Sequence, residues 1–409
     1  MKRACWLFVF AVACGGTSGT SPLGNSPPNP GTGTPGTAAN ALAITVDQGP
    51  AALAALNEAS ANVLYATVTV CTPGSTSACQ TIDHVQIDTG SVGLRVVSAA
   101  MNGAASLPAA KDASGNSLFE CVQFVDSYDW GSVVTADITL GTRKLSGVRV
   151  QLVGDAAAGK APANCVQGTA LQTVEQFGAN GLLGIGSFLQ DCGNACAAQP
   201  LPGAYYICPG GTCASAAVSL ANQIQNPVSQ FTADNNGVVL QLPSASSPGA
   251  TTLSGTMLFG INTQTNNALG STALMGLDPS GTFTTTFGGT SIPGSFIDSG
   301  SNGYFFSSTS IPNCTNAAGF FCPASQVAET ATMSFSSGGP RTVSFFVDNA
   351  ETVFQNDADS AFPGLAGSNG DFNGTSGFDW GLPFFYGRNV FVLFENQTVS
   401  GTVGPAVGF

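Results

Sequence analysis

The sequence is short of charge. Only 8% of its 409 residues are Asp, Glu, Lys or Arg, against about 25% in an ordinary globular chain. Histidine is scarcer still, with His84 alone. One histidine argues against a metal centre, and without a nucleophile elbow it makes a poor serine triad. Ten basic residues stand against 23 acidic ones, for a net charge of −13. A chain so charged repels phosphate backbones and anionic lipid surfaces, so nucleic acid is excluded as a partner. Long apolar runs are missing too: Ala4–Ala13 is too short to cross a bilayer. Few helix-forming charged residues remain. In their place stand 52 Gly, 23 Pro and many Ser, Thr, Asn and Gln, alongside 43% hydrophobic residues. That mixture predicts β structure with many turns, and the length allows two or three domains with real cores.

Lys2 and Arg3 followed by the run Ala4–Ala13 have the form of a secretory signal. It ends in Ala11-Val12-Ala13-Cys14, similar to a bacterial lipobox, whose cysteine becomes the lipid-modified first residue. Residues 1–14 are therefore expected to be a lipoprotein-type signal with Cys14 as the lipidation site. Ordinary signal cleavage or an uncleaved anchor would export the chain equally well. Residues 15–40 form a Gly/Ser/Thr/Pro-rich tether with nothing to bury. The expected location is the cell envelope, lipid-anchored at the outer membrane or in the periplasm, or secreted.

Beyond Cys5 and Cys14, ten cysteines remain: Cys71, Cys79, Cys121, Cys165, Cys192, Cys196, Cys208, Cys213, Cys314 and Cys322. An even number in an exported chain implies disulfides. Cys71 with Cys79 and Cys314 with Cys322 are expected to close their own loops, whereas the cluster from Cys192 to Cys213 can pair in more than one way. Past the tether, Val63–Val70, Val133–Leu140 and Val148–Val153 are β-branched and partly alternating, as strands are. Helical patterns are confined to Ala51–Ser60, Leu171–Phe177 and Ala216–Gln225.

One relation organises the rest. His84-Val-Gln-Ile-Asp88-Thr89-Gly90-Ser91 has a counterpart in Gly294-Ser-Phe-Ile-Asp298-Ser299-Gly300-Ser301. Each is an apolar approach to Ile-Asp, then a small hydroxyl residue, Gly and Ser. The chain therefore reads as two related lobes, residues 41–226 and 227–409. Two aspartates delivered by similar loops suit a dyad that shares one proton, because two adjacent carboxylates cannot both ionise cheaply. The ionised member can deprotonate a water while the other donates to a substrate carbonyl. No metal and no cofactor is required. The glycines allow tight turns, Thr89 and Ser299 can bond across the lobe interface, and Ser91 and Ser301 can hold the outer carboxylate oxygens.

At these residues the chain resembles the pepsin-like aspartic proteases, particularly uncharacterised bacterial secreted members. Further segments follow in the family's order. Tyr128-Asp-Trp-Gly131-Ser132 looks like the flap hairpin that covers substrate. Asn180-Gly-Leu-Leu-Gly184-Ile-Gly186 is similar to the apolar-apolar-Gly segment threading beside the first Asp loop. Ser254–Asn262 resembles the second lobe's early hairpin, and Phe385–Glu395 its closing elements. The resemblance implies an all-β, bilobal fold of two related β-barrel lobes around a cleft. It also implies an exported, monomeric aspartic endopeptidase with Asp88 and Asp298 catalytic and a peptide or protein as substrate.

Three features depart from the family pattern. Arg95 stands where a Trp usually supports the flap Tyr, and a guanidinium beside Asp88 would disturb a shared proton. The second apolar-apolar-Gly element reads Trp380-Gly-Leu-Pro383, and Pro has no amide hydrogen to give. No basic pro-segment precedes the first lobe. These departures favour the alternative, a catalytically inactive envelope protein that binds a peptide or glycan in the same cleft.

Overall fold

The structure, a computed structural model, describes residues 38–368 and 377–409. The signal segment, Cys14 and most of the tether lie outside them. The β-branched segments form strands longer than the pattern alone suggests. β1 (Ala41–Val46) is followed by β2 (Leu64–Cys71), β3 (Cys79–Asp88) and β4 (Val92–Val97). The next three, β5 (Leu118–Gln123), β6 (Ser127–Leu140) and β7 (Arg143–Val153), make a long meander. The α-helices among the described residues are short: Ala51–Ala54, Gly193–Ala198, Ala350–Val353, and Val174–Phe177, the last capped by the Thr173 side chain and stopped by Gly178 in the left-handed conformation.

The helix expected over Ala216–Gln225 does not form; only Leu220–Asn222 makes a 3-10 turn. Its backbone is satisfied from elsewhere. Ala216 N donates to Tyr205 O, Val218 N to Cys196 O, and Ile224 N to the Tyr205 hydroxyl. With those donors engaged by distant partners, a helical ladder has nothing to add.

The first half of the chain is one sheet, and β1 carries it into the second half by pairing with both β2 and Leu253–Phe259. The same sheet continues through Gly237–Gln241, Asn389–Leu393 and Ala406–Gly408. A separate seven-stranded sheet, from Phe283 to Trp380, holds the second aspartate. The core below Asp88 is aliphatic, with Val68, Val85, Ile87, Leu94 and Val96 among its buried residues. Below Asp298 it is aromatic: Phe306 stacks on Phe378 at 4.8 Å and Phe378 on Trp380 at 4.3 Å. Each such side chain, fully buried, contributes roughly 1.5–3 kcal/mol.

All ten cysteines among the described residues are paired. Cys71–Cys79 and Cys314–Cys322 close their loops as expected. The cluster resolves into two local bridges, Cys192–Cys196 and Cys208–Cys213, and Cys121–Cys165 ties β5 to a distant loop. Five disulfides point to an extracellular or envelope location. No helix among the described residues is long and apolar enough to cross a membrane.

Candidate active site

β3 and the strand Thr290–Ile297 arrive at their aspartates in the same way. Beside β3 runs the parallel strand Gly181–Ile185, with Asp88 opposite Gly184. Beside the second approach runs Asp379–Trp380, with Ile297 opposite Trp380. Parallel pairing fixes each approach on one side while leaving the following turn free to project.

The two turns interlock. Thr89 Oγ1 donates to Ile297 O (3.0 Å) and accepts from Ser299 N (2.9 Å). Reciprocally, Ser299 Oγ donates to Ile87 O (2.8 Å) and accepts from Thr89 N (3.1 Å). These four bonds cross between the halves and leave no hydroxyl or amide of the pair unused. Within each turn the amide two residues on donates to the aspartate: Gly90 N to Asp88 Oδ1 and Gly300 N to Asp298 Oδ1, both at 2.7 Å. Glycine is required at both places by close approach. A Cβ on Gly300 would fall 2.6 Å from Asp88 Oδ1, and one on Gly90 would fall 2.8 Å from Asp298 Oδ1.

The carboxyl groups of Asp88 and Asp298 lie side by side: a Cβ on Gly300 would be 2.6 Å from Asp88 Oδ1 and 3.1 Å from Asp298 Oδ1. Burial first, then the charges of Asp88 and Asp379, push Asp298 well above the usual carboxylate range. Two carboxyls this close cannot both ionise cheaply, which favours a protonated Asp298. Ser301 Oγ donates to Asp298 Oδ2 (2.9 Å), in the role read for it from sequence. Ser91 differs: its Oγ is buried without a hydrogen-bond partner and makes no bond to Asp88.

Both aspartates line a cavity of about 480 Å³, walled by apolar side chains that include Phe124, Leu171, Phe177, Phe188 and Phe305. Its cover is the β5–β6 hairpin, with Val122–Ser127 in the lining. The residues assigned to the flap from sequence are misplaced by a few positions. Tyr128 and Trp130 are buried with Phe119, Cys165 and Tyr206 outside the cavity lining. Gly131 packs tightly against the Leu152 backbone, and Ser132 bonds Asp155 through both its amide and its hydroxyl. The hairpin turns at Phe124–Asp126, where strand pairing ends, so the aromatic residues belong to its body. Val125, 46% exposed, stands at the tip.

Arg95 is 1% exposed and its charge is matched away from the dyad. Its guanidinium donates to Glu120 Oε1 (3.0 Å) and Val92 O (2.7 Å), with Asp191 at 3.7 Å and Asp129 at 3.9 Å. Burial opposes that charge, but the three carboxylates hold it in place. In the same network burial raises Asp129 to about 7, against the lowering effect of Arg95. Pro383 is equally harmless. The amide the second loop needs comes from Leu382, which donates to Ser301 O at 2.7 Å. Pro383 then sits in the first turn of the 3-10 helix Leu382–Phe385, where a missing amide hydrogen is tolerated. His84, at the far end of the β3 approach, lies between Asp47 (3.3 Å) and Asp83 (3.1 Å).

Sequence reasoning missed Asp379. It is buried and lines the cavity; burial, opposed by Ser301 and with Asp88 adding to it, pushes the carboxyl up to about 8. Its signal was an acidic residue at the first apolar position of Asp379-Trp380-Gly381. Among the described residues, one group could gather three metal ligands, Cys314, Cys322 and Glu351, but its two sulfurs are bonded to each other.

The fold is pepsin-like. Over 90% of this chain and 96% of the other, it is similar to an aspartic proteinase from Irpex lacteus, with a TM-score of 0.51 and 14% identity. No curated protein matches the sequence. A family model described as "Protein of unknown function (DUF3443)" matches residues 36–409, nearly the whole chain, and the protein belongs to that family.

Proposed function

We propose that the protein is an exported aspartic endopeptidase, working as a monomer on extended peptides laid across the cleft beneath the Val122–Ser127 turn. The observation that carries this reading is the pair of adjacent carboxyls, Asp88 and Asp298, on turns held by reciprocal bonds at the floor of an apolar cavity. Asp298, desolvated and pushed up, holds the shared proton, and Asp88 takes one from a water lodged between them. The water oxygen bonds to the amide carbon while Asp298 gives its proton to the carbonyl oxygen, producing a neutral tetrahedral diol. Collapse breaks the C–N bond: the nitrogen receives a proton from the dyad, the diol hydroxyl returns one, and an acid and an amine leave. Thr89 and Ser299 fix the distance between the loops, and Gly90 and Gly300 orient the carboxylates through their amides. Upstream of the fold, Cys14 would carry the lipid and residues 15–40 the tether to an envelope membrane.

The test is digestion of a mixed peptide library from acid to mildly alkaline pH. Cleavage should be blocked by pepstatin, and Asp88→Asn and Asp298→Asn should each lower the rate by about 10⁴-fold or more. No cleavage at any pH would leave a peptide- or glycan-binding envelope protein. Cleavage surviving both substitutions would remove the dyad from the chemistry.

A further inference from the structure

Among the described residues the cavity is lined by four carboxylates, Asp88, Asp126, Asp298 and Asp379, and by no Lys, Arg or His. Asp379 is 7% exposed, and its Oδ1 is buried with no hydrogen-bond partner. Asp126 Oδ2, in the covering turn, is likewise buried and unpartnered. A buried carboxylate oxygen without a donor is costly, and a ligand that brings the donor removes that cost.

The pairing of the two lobes shows where this oxygen stands. Leu182 pairs with Gln86, two residues before Asp88, and Asp379 pairs with Phe296, two residues before Asp298. Both line the cavity. Equivalent walls on either side of the dyad therefore carry an aliphatic side chain in one lobe and an acid in the other. We infer that Asp379 makes the second-lobe wall a subsite for a basic side chain, so that a Lys or Arg beside the scissile bond is selected there and an apolar residue on the Leu182 side. The long aliphatic stems of Lys and Arg suit the apolar remainder of the lining, and their heads supply the donor that Asp379 Oδ1 lacks.

This rests on the peptidase reading, so the experiment has two arms. In the first, product termini from the peptide library are sequenced by mass spectrometry; Lys and Arg should be enriched at one of the two positions flanking the cut. Asp379→Leu and Asp379→Asn should each lower the ratio of kcat/KM for a lysine peptide over its norleucine twin by about 10- to 100-fold, and Asp379→Glu should restore it. In the second arm, the full chain carrying Asp88→Asn is titrated with the same two peptides. The lysine peptide should bind about tenfold tighter or more, and adding Asp379→Leu should abolish the difference. Cleavage without basic enrichment, or equal binding of the twins, overturns the acidic subsite and leaves the peptidase standing. Discriminating binding without cleavage keeps the subsite and overturns the peptidase.

Discussion

Asp88 and Asp298 each accept an amide bond at 2.7 Å from the glycine two residues on, and each loop's hydroxyl crosses to the carbonyl before the other aspartate. Beyond that inner layer the halves part company. Ser301 bonds Asp298 through its hydroxyl, whereas the Ser91 hydroxyl bonds nothing; Asp379 stands where the first lobe has Leu182. Behind β4 the first lobe buries a guanidinium among three carboxylates, while the second packs Phe306, Phe378 and Trp380 in stacked rings. The two lobes thus share backbone geometry and hydrogen-bond topology at the aspartate loops and differ in the supporting side chains.

The sharpest way to break this comparison is to attack the polar support of the first lobe. Arg95→Met leaves Glu120, Asp129 and Asp191 buried without their cation and should destabilise the protein by about 3–5 kcal/mol in urea unfolding. Phe306→Leu in the aromatic half, which removes no charge, should cost about 1.5 kcal/mol or less. Equal losses would mean that the buried ion cluster is not what holds the first lobe. Next in size is the contact between loops. Gly300→Ala places a methyl against Asp88 Oδ1, forcing the carboxyls apart. It should lower kcat/KM by about 100-fold while the circular dichroism stays that of the wild type. The smallest effect separates the serines: Ser301→Ala should reduce kcat about tenfold and shift its pH profile, because Asp298 loses a hydrogen-bond donor. Ser91→Ala should change both less than about twofold, since no bond is broken.

Much of this was legible in sequence because it depends on local chemistry. The repeated Ile-Asp approach marks both aspartate loops, and short cysteine spacings mark the loop-closing bridges. Position within a hairpin was less legible. Tyr128 flanks the turn, paired with Gln123, yet its side chain and that of Trp130 enter a buried cluster instead of the cavity. The fate of Arg95 was not legible at all. Its partners Glu120, Asp129 and Asp191 come from segments that only tertiary folding brings together. Asp379 was hidden for a related reason: an acid inside an apolar stretch looks like a turn residue until parallel pairing places it beside the dyad.

The central claim is that Asp88 and Asp298 hold one proton in common, and it can be read directly by ¹³C NMR of aspartate-labelled protein titrated against pH. The Asp298 carboxyl should stay protonated well above the usual carboxylate range. In Asp88→Asn the neighbouring negative charge is gone, so its ionisation should move down by about one pH unit or more. A carboxyl that ionises near pH 4 in both proteins, or at the same raised pH in both, would contradict the sharing of a proton.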